Sequence, residues 1–288
     1  MCEIQKRSGW MNLLLFIGPY ILVVGLLRSI GAFIAGVDLT NDFFIETTTQ
    51  HLLVSFFGFL GTFMIIFFFI KFIEKEDFIN LGFHYKNHKK NILAGFIIGF
   101  LVMSLAYLML TFFHQIKFVK IVFKVEELFL STILFLIVAV TEETLIRGYV
   151  LRNLMNSTKK NVALILSSFL FSFLHVFNTH FTGISFVSLF LSGILLGLLY
   201  IYTKNLWLPI ALHFSWNLFQ SLLGFNVSGH DSYSIIEFDL LNKNAISGGD
   251  FGFEGSILSV IIQVFLIILT IFYFSNLKKK KIRNKNNP

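Results

Sequence analysis

Two adjacent carboxylates, Glu142 and Glu143, stand with Arg147 inside the stretch "VAVTEETLIRGYV", residues 138–150. Downstream, "FSFLH" places His175 four residues after Phe171, and "HFSWN" places His213 and Asn217 four residues apart. Carboxylate, imidazole and amide groups are what hydrolysis uses: a base to activate water, an acid for the leaving group and donors for an oxyanion. The bland reading of the first stretch is a helix that has left the bilayer, carrying an ordinary ion pair between Glu143 and Arg147 at i,i+4 spacing. Which reading holds depends on the surrounding elements.

Those elements are apolar. Of 288 residues, 56% are hydrophobic and only 14% charged, with 38 Phe and a mean hydropathy of +0.77. A soluble globular chain is nearer about 25% charged. Runs of about 17–25 apolar residues, the length needed to cross a hydrocarbon core, recur along the chain, from "LLLFIGPYILVVGLLRSIGAFIAGV" to "SILSVIIQVFLIILTIFYF". The expected fold is all-α, a polytopic integral membrane helical bundle of about eight transmembrane helices, since backbone in lipid must satisfy its own hydrogen bonds. The first run follows Lys6 and Arg7 and is too long for a signal-peptide core, so it reads as an uncleaved anchor. The phenylalanine excess reads as lipid-facing bulk.

Charge gives the orientation. The formal net charge is +7, yet the basic residues sit in short loops and in the tail "KKKKIRNKNNP". That tail is too short for a nucleic-acid domain and lacks interleaved aromatics, so no nucleic-acid partner is expected. Alternating sides along eight spans puts the basic loops and both termini in the cytoplasm of a multi-pass cell-membrane protein. The loop with Asp38, Asp42 and Glu46 is acidic, and "HQIKFVKIVFKVEE" breaks the rule with Lys117, Lys120 and Lys124 on the outside. It reads as an interfacial amphipathic piece or a miscounted span. The single Cys2 excludes an intrachain disulfide. The simplest organisation is one membrane domain over 1–288, with a core at 128–217 and a basic cytoplasmic tail at 278–288.

Within that bundle, a rise of about 1.5 Å per residue places Glu142, His175 and His213 within roughly a turn or two of the bilayer middle. Ionised groups at that depth are costly, and a chain that keeps them uses them. One reading is a proton- or ion-coupled transporter, since those also bury Glu and His. Against it, no pair of Gly/Pro-broken helices stands at matching positions in two halves.

The motifs resemble those of the CPBP intramembrane proteases, the group of CAAX prenyl endopeptidases and bacteriocin-processing or abortive-infection proteins. "EETLIR" reads as EExxxR, "FSFLH" as FxxxH and "HFSWN" as HxxxN, in that order. "SGGDFGFEGS" before the last helix is similar to a stretch of many bacterial members; by itself it reads as a tight turn with Ser256 capping the last helix, and Glu254 is a weak candidate. The resemblance implies an intramembrane endopeptidase acting on a membrane-associated peptide or protein substrate beside the lipid bilayer. CAAX-type members cut a C-terminal tripeptide after a prenylated cysteine; bacterial relatives serve in bacteriocin maturation and self-immunity, and a bacterial immunity or processing role is preferred here. A non-catalytic membrane immunity protein with surviving motifs is a further alternative.

In this scheme Glu142 is the general base and His175 orients the water, while His213 and Asn217 donate to the tetrahedral intermediate. Glu143, Arg147 and Phe171 support them. Glu143 is the competing base, because neighbours on a helix face about 100° apart and only one points into a given site. A second scheme uses a divalent metal such as zinc held by Glu142, His175 and His213. No HExxH occurs, and metal-independent chemistry is preferred.

Overall fold

The computed structural model describes residues 8–37, 47–86 and 88–286. Cys2, Lys6, Arg7, the acidic loop of Asp38, Asp42 and Glu46, and the last two residues of the tail lie outside them.

The chain is a helical membrane bundle. In order come α1 (Gly9–Ile34), α2 (Thr48–Phe68) with a π-helical extension Phe69–Glu74, α3 (Lys89–Phe112) and α4 (Val125–Glu143). α4 runs without a break through a π-helical segment, Thr144–Leu151, into α5 (Arg152–Met155). Then follow α6 (Lys160–Phe173), α7 (Gly183–Thr203), α8 (Trp207–Leu222) and α9 (Ile257–Asn286). Among the described residues six helical rods are long and apolar enough to cross a membrane. The other two apolar helices, α6 and α8, have 14 and 16 residues. The eight rods expected from the apolar runs are thus present, two of them short.

Of the two short ones, α8 carries His213 and Asn217. α8 is buried along most of its length and packs against α3, α4 and α7. Protein rather than lipid surrounds it, so its polar side chains escape the hydrocarbon penalty. Close approach makes this possible: a Cβ on Gly99 of α3 would come within 2.7 Å of Ser215 on α8. Small residues at helix interfaces are the usual route to such packing in membranes. Lipid-facing bulk is supplied by Leu14, Leu22, Phe33, Phe72 and Phe112, all well exposed. Phenylalanine is not confined to that surface, because Phe16, Phe69, Phe135, Phe171, Phe251 and Phe253 are buried.

A small two-stranded sheet gives the basic loop its structure. β1 (Ile116–Ile121) pairs antiparallel with β2 (Ile236–Leu240), with an irregularity between Phe118 and Lys120. Lys117 stands opposite Asp239, and Lys120 Nζ is 3.2 Å from Glu237. Lys117 and Lys120 thus belong to a strand facing an acidic one, while Lys124 precedes α4. The segment is no miscounted span.

The polar segment after α8 folds back over the bundle. Gly229 N donates to Phe251 O at 3.0 Å, and Asn226 Nδ2 to Asp250 O at 2.7 Å. Gly229 needs to be glycine: its φ is +86°, and a Cβ would lie 2.1 Å from Thr179 O. Ser256 Oγ accepts from Ser259 N at 3.0 Å and so caps α9. α9 itself stays helical through the lysine run to Asn286.

Candidate active site

The rod that begins as α4 delivers two glutamates with opposite fates. Glu143 is fully buried. Its Oε1 accepts from Arg147 Nη1 at 2.6 Å and from His213 Nδ1 at 2.9 Å. Glu142, about a third of a turn away, is 31% exposed and lines a cavity of about 1360 Å³. The two carboxylates therefore cannot serve one purpose: one is spent on partners, the other faces free volume. Immediately after Glu143 the helix widens to π geometry over Thr144–Leu151. Such π segments inside α-helices gather at functional sites, and this one places Arg147.

Arg147 is 1% exposed. Besides Glu143, its guanidinium lies 4.5 Å over the ring of Phe171, a favourable cation–π arrangement in a desolvated place. One nitrogen, Nη2, and one carboxylate oxygen, Glu143 Oε2, are buried with no hydrogen-bond partner. Phe171 also touches both histidines, with ring centroids 4.9 Å from His175 and 6.2 Å from His213. The phenylalanine of FxxxH is thus the floor on which the arginine and the imidazoles rest.

His175 does not sit within a helix. α6 ends at Phe173, shorter than the apolar run suggests, and His175 lies in the turn that follows. Its Nδ1 is 2.8 Å from Phe171 O, one of the carbonyls a helix end leaves without a partner. A carbonyl only accepts, which assigns the ring proton to Nδ1 and leaves the Nε2 lone pair open. His213, on α8, is 8% exposed. By the same reasoning its Nδ1–H donates to Glu143, and its Nε2 is 3.9 Å from Glu142 Oε2. Asn217, one turn along α8, lines the cavity with His175 and His213. The cavity wall thus carries a carboxylate, two imidazole nitrogens and a primary amide, all at the junction of α4, α6 and α8.

Zinc needs three protein donors and an open position. Among the described residues no three His, Cys, Asp or Glu side chains are gathered as a metal set. As placed, Glu142, His175 and His213 do not fit a three-donor cradle. The Nδ1–H of His213 on Glu143 leaves its Nε2 free, as in a metal-ligating histidine, so the obstacle is that the three donors are not gathered.

Several cavity residues escape the motif reading. α1 contributes Tyr20 and Arg28, α2 contributes His51, and the folded-back segment contributes Ser228, His230 and Glu254. Glu254 Oε2 accepts from Ser228 N at 2.9 Å and Oγ at 2.8 Å, pinning that segment over the opening. His180 stands in the same wall. A signal for Arg28 exists in the sequence, an ionised residue inside the first apolar run.

Residues 124–219 match the family model of Type II CAAX prenyl endopeptidase Rce1-like proteins. The match runs from the residue before α4 to near the end of α8 and takes in every motif position. It agrees with the resemblance the motifs carry. No curated protein and no solved structure matches the chain.

Proposed function

We propose that this chain, with its Rce1-like segment at 124–219, is an intramembrane endopeptidase that cleaves a peptide bond inside the cavity. The observation that carries this is Glu142: a carboxylate facing a cavity whose wall also carries the open Nε2 of His175, while its neighbour Glu143 is held by Arg147 and His213. Glu142 takes a proton from a water oriented by His175 Nε2, and the hydroxide attacks the scissile carbonyl. The oxyanion accepts from Asn217 Nδ2. His213 adds a second donor only when it carries both ring protons, because Nδ1–H already serves Glu143. Glu142 then passes its proton to the leaving amine, which restores the carboxylate. Glu143 and Arg147 hold His213 in position and take no proton.

The substrate class follows the family model: a peptide whose cysteine carries a prenyl chain, cut near its C-terminus. Maturation of a bacteriocin or self-immunity, suggested by the "SGGDFGFEGS" stretch, is less supported, because those residues are occupied in turning the chain, pinning Ser228 and capping α9. The test is turnover of a farnesylated CAAX peptide and of an unbiased peptide library by purified protein in vesicles. Glu142→Ala and His175→Ala should both abolish cleavage while the helical signal and melting temperature stay. Cleavage untouched by both would remove this site, and no cleavage of any peptide would promote a transporter or scaffold. Turnover should persist in chelator; loss that added zinc restores would show that the three donors close around a metal.

A further inference from the structure

α1 carries Arg28 on a face that looks into the same cavity. Its stem packs on Gly58 of α2: a Cβ there would lie 2.9 Å from Arg28 Nε and 3.3 Å from its Cγ. Gly58 is ten residues below the start of α2 at Thr48, about 15 Å into the helix. The guanidinium therefore does not reach back out to the lipid headgroups. A helical side chain leans toward its own N-terminus, here toward Tyr20, two turns earlier. Arg28 lies within electrostatic reach of Tyr20, His51 and His230. It has no hydrogen bond or ion pair among the described residues.

A cation in a membrane-spanning helix without an anion is costly, and Arg147 and Arg152 of the same bundle are paired. The rings of His51 and His230 stand 5.7 Å apart, and both line the same cavity. At the other end of the cavity Tyr20 lies within electrostatic reach of Glu142. From the level of Tyr20 to that of Arg28 is about 12 Å along α1, less the inward lean of the side chain. An extended peptide covers about 3.3 Å per residue, so about two to four residues fit between the two ends.

We propose that Arg28, with the rings of His51 and His230 beside it, is a carboxylate subsite that anchors the peptide substrate about two to four residues from the scissile bond. This rests on the endopeptidase reading for the position of the bond, and on Arg28 alone for the anchor. A guanidinium forks onto a carboxylate through two parallel hydrogen bonds. Inside the cavity that pairing selects for charge at one position and sets how far the chain threads past Glu142. The carboxylate has two sources, a chain end or an acidic side chain, and the chemistry is the same for both.

Binding is measured in the Glu142→Gln background, where no cleavage intervenes. The probes are a farnesylated tetrapeptide acid, its C-terminal amide, and an amide ending in Glu. The free acid should bind roughly 10- to 100-fold more tightly than the amide, and Arg28→Gln should reduce the acid to the level of the amide while leaving the amide unchanged. Restoration by the Glu amide identifies any carboxylate as the ligand; failure to restore identifies the chain end. Arg28→Lys should recover part of the preference. Gly58→Ala, which displaces the guanidinium but keeps its charge, should weaken it. With Glu142 intact, Arg28→Gln should raise KM for the acid and leave kcat. No acid preference, a preference that survives Arg28→Gln, or acid binding abolished by anionic phospholipid in the vesicles would overturn the subsite. Absence of turnover in the otherwise unaltered protein, with the binding preference intact, would instead strike the endopeptidase reading.

Discussion

Arg152 and Arg147 stand five residues apart on one rod, in surroundings of opposite kind. Arg152 donates to Glu74 Oε2 at 2.9 Å and also to Glu76. Asn153 Nδ2 takes the other Glu74 oxygen at 3.0 Å, and Asn12 Nδ2 reaches Asn153 Oδ1 at 3.2 Å. That knot ties α1, the end of α2 and α5 together, and both oxygens of Glu74 are used. Arg147 has one hydrogen bond to a carboxylate that it shares with His213, an aromatic ring beneath it, and a nitrogen with no partner. With both Glu74 oxygens bonded, that knot holds helices in place. A network with spare capacity beside a cavity has something left to offer a substrate or a proton.

The sharpest way to break this contrast is the pair of glutamates. Glu142→Gln should lower turnover by roughly 10²- to 10⁴-fold, the range of a positioned general base, with the melting temperature unchanged. Glu143→Ala should lose activity as well, but by unfolding. It leaves Arg147 buried without its counter-charge, a loss of about 3–5 kcal/mol, read from the denaturation midpoint in detergent. Removing both charges, Glu143→Leu with Arg147→Met, should recover most of that stability and none of the activity. If Glu143→Ala is as stable as the parent, the two glutamates do not divide their work as the geometry has it.

Arg152→Ala sharpens the other side. It should cost about 2 kcal/mol, the order expected when a charge-assisted hydrogen bond is removed from a mostly buried carboxylate. Activity per folded molecule should stay within about twofold, the scatter of roughly 0.4 kcal/mol expected between independent sites. A loss of turnover at full stability would move Arg152 out of the knot and into the reaction.

Much of this was legible before any coordinates. Run length and apolarity gave the helices, since lipid leaves the backbone few choices. The i,i+4 spacing put Glu143 beside Arg147 and His213 beside Asn217. Three features were not legible, each for a physical reason. α6 stops at Phe173 although the apolar run continues, because the chain turns there with His175 Nδ1 on Phe171 O. The pairing of Lys117 and Lys120 with Asp239 and Glu237 spans more than a hundred residues. The aim of Arg28 depends on α2 packing beside α1 through Gly58, and α1 is apolar on every side, so no periodicity marks which face is inward.

The smallest effect lies at the outer wall of the cavity. Partial burial holds the His230 imidazole below its ordinary value, and His175 and then Arg28 nearby add to the shift. With the folded value lowered, the neutral ring contributes its full stability above about pH 6.5, the ordinary histidine value. As the pH falls through that value the unfolded chain takes up a proton that the folded protein refuses, and stability declines. A melting series from pH 7.5 to 5 should therefore show a shallow acid limb, and His230→Gln should flatten it in part. If the limb steepens on that substitution, the ring is charged in the folded state, and the cavity mouth carries a second cation beside Arg28 where the contrast requires only one.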